Sequence, residues 1–407
     1  MAPQGKRGWL LFGPHSVATI LLITSACSLL TGCKQDSPEN QANPAFSVTG
    51  LLQTNLNDLS IFYPRVKTPI PLEWPADHYA HPKYRSEWWY FTGHMSPESS
   101  RASTSLSKQQ NLSKPPILGF QFTLFRQRAL PPVTQKTIHN AWQTPQIYMG
   151  HLAITHHQAQ RHRAAQRFSR EGPGLAGVSD NQQYLHVLDW QIQPTPDGWW
   201  PVRISAQDQK QQIGINLQLF PLKPVVLQGN LGFSQKSNHP ENASMYYSYT
   251  RLKAWGSMYW QNQSTTVKGL AWFDHEWSSS SLGANQVGWS WFALQLDNYH
   301  ELMLYQIRNK QGEISWSDAA MIDESGSRLP LKISDITIDT LQHWTSSKTG
   351  RRYPSQWRIS IPRYAIDLDI MPTIKDQEMR LALHYWEGAV TLSGSHQGQG
   401  YVELTGY

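Results

Sequence analysis

The chain has 407 residues, of which 16% are charged and 12% aromatic, with 18 Trp, 17 Tyr and 12 Phe. Few charges with this many large rings exclude an intrinsically disordered chain. Lys and Arg number 35 against 29 Asp and Glu, and loss of Lys6 and Arg7 with a cleaved leader leaves 33 against 29, too mild a surplus for a dedicated nucleic-acid binder.

The N-terminus carries Lys6 and Arg7 and then an apolar run from Val17 to Leu30. At ~1.5 Å per residue the run spans about 21 Å, short of a ~30 Å hydrocarbon core, so residues 1–32 read as a signal peptide rather than a membrane span. It ends in Leu30-Thr31-Gly32-Cys33, a sequence that resembles the bacterial lipobox. Cys33 is therefore the expected lipidated first residue. Lys34 rather than Asp follows it, so the expected location is the cell envelope, on the outer membrane facing the periplasm. The only other cysteine, Cys27, lies in the leader, so the mature body has no free thiol for a disulfide, a zinc-thiolate site or a nucleophile.

Residues 33–60, rich in Gln, Asn, Pro and Ser, read as a flexible tether. Beyond them come short alternating runs of aromatic and branched residues between Gly, Pro, Asn and Asp, the pattern of an antiparallel all-β protein. Expected strands are Trp88–His94, Ile117–Arg126, Gln146–Thr155, Tyr184–Gln191, Trp200–Ala206, Ile213–Phe220 and Met245–Leu252. They continue with Thr265–Phe273, Gly288–Leu296, Glu301–Arg308, Ser317–Ile322, Ser355–Ile361 and Ala389–Ser393. Residues 96–116 read as a dispensable hairpin insertion, and the basic stretch 161–170 as a polar connection. Trp88–Phe91 and the strand ending at Arg126 are echoed by Trp289–Phe292 and the strand ending at Arg308, which implies two related β units, 61–238 and 239–407, joined at the turn-forming Ser237-Asn238-His239-Pro240.

His81-Pro82-Lys83-Tyr84-Arg85-Ser86-Glu87-Trp88-Trp89-Tyr90-Phe91-Thr92-Gly93-His94 is the most distinctive motif. With Gly119–Arg126, Tyr247–Arg251, Gly269–Trp277, Thr349–Pro354 and Tyr401–Tyr407, it resembles the AttH-like proteins, which share a superfamily with carotenoid 1,2-hydratase. The resemblance spans nearly all of 62–407 and implies two consecutive lipocalin-like antiparallel β-barrels. It also implies, as a partner, an ABC transporter with an FtsX-like permease.

In the carotenoid hydratases, an Asp matching Asp274 is the proposed acid that protonates an alkene before water captures the cation. A carboxyl set among Trp rings, its pKa raised by desolvation, suits that task, and the rings can stabilise the cation. The competing reading is that Asp274 orders a turn through backbone N–H groups. Period-2 geometry puts Glu276 on the face of Asp274, as a second acid or base. The sequence departs from the hydratase pattern at Trp272, where that motif has Tyr, and at Tyr247 and Tyr249, where it has His and Trp. Period 2 also puts Glu87 and Trp89 on one face of their strand and His94 on the other. A buried Glu87 needs a cation, Arg85 or Arg126.

Asp274 and Glu276 are thus the candidate catalytic pair, and Glu87, Trp89, His94, Tyr247, Tyr249, Trp272, Trp289 and Trp291 the candidate ligand contacts. No metal site and no cofactor are expected, because His275-Glu276 lacks the second His of a zincin. G-x-S-x-G and P-loop motifs are also missing. Three readings remain open: a lipid-anchored binder of an apolar or amphipathic small molecule or lipid, a hydratase or isomerase acting on an isoprenoid-type alkene, and a structural lipoprotein with filled barrels.

Overall fold

Alternating residues normally give a strand one buried and one wet face, but the central strands of this protein are buried on both. The computed structural model describes residues 63–98, 116–129, 144–179, 184–280 and 282–407, all of them within the compact unit 45–407. The signal peptide, Cys33, the tether and most of the 96–116 insertion lie outside the described residues.

The first sheet contains β1 (Ser86–Pro97), β2 (Leu118–Arg128), β3 (Gln146–His156), β4 (Arg161–Arg170), β5 (Ala176–Val178), β6 (Leu185–Val187) and β7 (Trp190–Thr195). It is completed by β8 (Gly198–Asp208), β9 (Ile213–Pro221), β10 (Val226–Leu227), β11 (Phe233–Gln235), β12 (Ala243–Trp260) and β13 (Gln263–Ser280). The second sheet contains β14 (Gln286–Leu296), β15 (Glu301–Asn309), β16 (Ile314–Ile322), β17 (Arg328–Pro330) and β18 (Thr337–Thr345). Then follow β19 (Arg352–Ile361), β20 (Ile366–Pro372), β21 (Glu378–Arg380), β22 (His384–Gly394) and β23 (Gly398–Leu404). In each sheet the first long strand pairs antiparallel with the last, β1 with β13 and β14 with β23. The sequence echo between Trp88–Phe91 and Trp289–Phe292 therefore marks equivalent positions in two related sheets.

The protein is all-β, with the first sheet a nearly closed barrel and the second a half-barrel, consistent with two lipocalin-like units. Their boundary differs from the one expected. The first sheet runs to Ser280 and the second starts at Gln286, so residues 239–280 belong to the first unit rather than the second. Ser237–Pro240 does form a turn, but it leads into β12, whose long pairing with β13 holds this segment in the first sheet. The basic stretch 161–170 is likewise a strand, β4, rather than a connection. Its arginines close the barrel from the edge: Arg163 donates to the Gln211 carbonyl at 2.7 Å and stacks on Trp260, and Arg167 pairs with Asp208 at 2.7 Å.

Four apolar clusters follow from this arrangement, the smallest of them joining Met149 of β3 to Met379 and Tyr385 of the second sheet. Trp89, Phe91, Phe122, Tyr247 and Phe273 are among the side chains that fill the first barrel, and Phe292, Trp357 and Trp386 belong to the core of the second. The third cluster includes Tyr90, Tyr246, Trp272, Trp291, Tyr305 and Tyr401. These come from the outward faces of β1, β12 and β13 and from strands of the second sheet, so the third cluster packs one sheet against the other. A buried clamp reinforces that contact. Glu301 of β15 receives Lys223 Nζ at 2.8 Å and Arg251 Nε at 2.5 Å from the first unit.

Candidate functional site

The β1 and β13 register sets up two separate polar sites, one on each face. Inside the barrel, Glu87 is fully buried and pairs with Arg126 Nε at 2.8 Å, the partner expected if that face is internal. The same carboxylate contacts His81 Nδ1 at 2.6 Å and His275 Nε2 at 2.9 Å. Burial pushes Glu87 up, but Arg126 and His81 outweigh it and hold the carboxyl well below its usual range. His81 also reaches Asp77 at 2.9 Å, and Tyr247 bridges His78 and His275 at 2.6 and 2.9 Å. This network straps the segment around His78 and His81 onto the barrel. His81, Glu87 and His275 place three ligand atoms within 4.8 Å of one another, the donor set of a metal centre. Each of those atoms is already engaged in a hydrogen bond within the strap.

On the opposite face, an open cavity lies between the two sheets. The cavity has a volume of about 100 Å³, room for several waters at the ~10–15 Å³ that each needs. Trp88 and Tyr90 of β1, Tyr246 of β12, and Asp274 and Glu276 of β13 form one wall. Trp289 and Trp291 of β14, Tyr305 of β15, Glu387 of β22 and Glu403 of β23 form the other. The arrangement suits an apolar or amphipathic molecule, with rings around a few fixed polar groups.

Asp274 is 4% exposed and sits in a cradle of donors. Ser248 Oγ and Trp272 Nε1 donate to Oδ1 at 2.5 and 2.7 Å, and Tyr246 Oη donates to Oδ2 at 2.9 Å. Trp291 Nε1 in turn donates to Tyr246 Oη at 3.3 Å. Burial pushes the carboxyl up to about 7, against the three hydrogen bonds, which favour the anion, and with help from the nearby Glu276. Its partners are side chains rather than turn N–H groups, and Asp274 lies within a strand. Glu276 forms an ion pair with Lys236 at 3.1 Å, and the ammonium also lies over the Tyr305 ring.

Across the cavity, Glu387 and Glu403 stand directly opposite each other on β22 and β23. Burial and the neighbouring Glu403 push Glu387 well above the ordinary carboxylate range. Burial pushes Glu403 up to about 8, opposed by a hydrogen bond from Trp289 Nε1 at 3.1 Å and assisted by Asp274.

Of the residues singled out from sequence, Asp274, Glu276, Trp289 and Trp291 meet at this cavity, and Trp272 holds Asp274 from behind. Glu87, Trp89, Tyr247 and Tyr249 face the barrel interior, which is filled by side chains. His94 packs between the sheets, its Nε2 at 2.8 Å from the Gly400 carbonyl oxygen, away from the cavity wall. Sequence reasoning did not reach Glu387, Glu403, Lys236, Tyr90 or Tyr246. The available signal was a lone carboxyl in each of two otherwise apolar strands, Tyr385–Ala389 and Tyr401–Leu404.

The AttH-like family model matches residues 65–407. A crystal structure described as an AttH protein from Nitrosomonas europaea is 30% identical, covers 84% of this chain and 99% of its own, and superposes with a TM-score of 0.69. Kievitone hydratase from Nectria haematococca has the same fold, with a TM-score of 0.59 over 84% of this chain and 95% of its own, at 13% identity. No curated protein matches by sequence.

Proposed function

This chain belongs to the AttH-like family, and from that premise we propose that it binds an apolar or amphipathic molecule between its two sheets and transfers a proton to a carbon–carbon double bond of that molecule from Asp274. The observation that carries this reading is a carboxyl that burial keeps protonated up to about pH 7, on the wall of an aromatic-lined cavity. A protonated Asp274 gives its proton to one alkene carbon and becomes a carboxylate. The cation left on the other carbon lies among the faces of Trp88, Tyr90 and Trp291. Water then adds to it and releases a proton, giving hydration, or a neighbouring C–H proton returns to Asp274, giving isomerisation. The kinship of fold with a hydratase accords with the first outcome. The Cys33 lipid anchor and a transporter partner, read from the sequence, would bring such a molecule to the cavity from a membrane surface.

Thr123 lines the cavity from β2, and Thr123→Phe fills that space at a cost of about 1–3 kcal/mol of stability. The expected result is an apolar compound that copurifies with the wild type and is absent from folded Thr123→Phe, read by mass spectrometry of organic extracts. Equal retention by the variant would place the ligand elsewhere and end this reading.

A further inference from the structure

Among the described residues, buried carboxyls are met by several donors or, like Glu276, by a cation, and Glu387 has neither. Glu87 has Arg126, His81 and His275, and Glu301 has Lys223, Arg251 and Thr250. Glu378, also buried, receives Ser346, Thr349 and Tyr353. Glu387 is just as buried, at 1% exposure, yet among the described residues its carboxyl receives one hydrogen bond, from Tyr90 Oη to Oε1 at 2.6 Å. Its Oε2 is buried and has no hydrogen-bond partner among the described residues, although the residue lines the cavity. An unmade bond at a buried carboxyl costs free energy that a ligand donor would recover.

The charge balance of the cavity narrows what that donor can be. Four carboxyls line the cavity, with Lys236 as the cation among its lining residues. That ammonium is committed to Glu276 and to Ser234 Oγ at 2.9 Å. A neutral Glu387 can meet an anionic head group only by carrying its own proton on Oε2, and no cation is free to balance the buried charge, whereas a hydroxyl or an ammonium would donate to Oε2 directly.

We propose that Glu387, backed by Glu403, is a head-group site that takes an O–H or N–H donor at the polar end of an amphipathic ligand and rejects a carboxylate or phosphate there. This rests on the reading that the cavity holds an apolar ligand body. A bound amine draws one of the two carboxyls into its ionised form, with the released proton leaving to solvent. A bound alcohol donates its hydroxyl hydrogen to Oε2 and leaves the carboxyls as they were.

Octanol, octylamine and octanoate test the proposal at neutral pH by calorimetric titration of the purified protein. Their chains are saturated, so Asp274 has no double bond to protonate and binding alone is read. The expected result is that octylamine and octanol bind and that octanoate binds about tenfold or more weakly than octylamine. In Glu387→Gln, a nearly isosteric change, the difference between octylamine and octanoate should shrink by about tenfold. Octanoate binding as tightly as octylamine would overturn the head-group site while leaving the cavity as a ligand site. An unchanged ratio in folded Glu387→Gln would overturn the role of Glu387. Failure of all three to bind would remove the apolar-ligand reading together with this one.

Discussion

Asp274→Asn is expected to leave the fold and the bound compound in place and to slow conversion of that compound by about 10²–10⁴-fold, the usual contribution of a general acid. The amide can accept from Ser248 and Trp272 through Oδ1 and donate to Tyr246 through Nδ2, with the Tyr246 hydroxyl turning its hydrogen towards the cavity, so the three contacts to residue 274 are kept. What it lacks is an acidic proton. Organic extracts should therefore show the unconverted compound accumulating on the variant and its hydrated or isomerised form on the wild type. Stability separates this outcome from a structural role. Asp274 has its folded pKa raised from 3.8 to about 7, so between those values the folded state holds a proton that the unfolded chain has lost. Its contribution is fully present below about pH 4 and is lost as pH rises to 7, by on the order of 1.4 kcal/mol per pH unit. Asp274→Asn removes that loss, and the variant should melt no lower than the wild type at pH 8. A variant that melts well below the wild type at that pH would instead identify Asp274 as a structural anchor.

The second large effect is a stability maximum near pH 6.5 with a steep acid side. Burial pushes His78, His94 and His151 down to about 3, and His157, His162 and His275 down to about 4. Below pH 6.5 these six rings take up protons in the unfolded chain and not in the folded one, so stability falls as pH falls. Asp274, Glu387 and Glu403 act in the other direction, because the folded state keeps three protons that the unfolded chain releases above about pH 4.5. From these nine groups the surplus of protons on the unfolded chain grows from none near pH 6.5 to about three by pH 5, where it removes about 4 kcal/mol per pH unit. Against a typical 5–15 kcal/mol of total stability, cooperative unfolding is expected at roughly pH 4–5. Above pH 6.5 the histidine contribution is complete while the raised carboxyls are still ionising, so stability declines again towards pH 8. Urea unfolding across this range measures both limbs. A flat profile from pH 5 to 8 would contradict the burial of these groups in the states described.

Strands and faces were legible in the sequence because period-2 alternation is local. The shared face of Asp274 and Glu276 followed from it, as did the dependence of a buried Glu87 on an arginine. Other features are decided by contacts that alternation does not encode. β4 is an edge strand whose charges stack on Trp260 and pair with Asp208 across the barrel seam, so it reads as a loop until the barrel curls. β18 is mostly exposed along its length and has no buried face to announce it. Glu387 and Glu403 acquire meaning only when the second sheet packs against the first, which also explains why the cavity lies between the units and not inside a barrel, where a lipocalin would hold its ligand. The family resemblance pointed to Asp274, whereas the carboxyls opposite it became visible through the sheet packing.

The most direct test of proton transfer from Asp274 to carbon is to run the conversion in heavy water and examine the product by mass spectrometry and NMR. The wild type should place one deuterium on carbon, retained after return to ordinary water, and Asp274→Asn should place none at a comparable rate. A compound that leaves the wild type unchanged and free of carbon-bound deuterium would contradict the enzyme reading and identify the protein as a carrier.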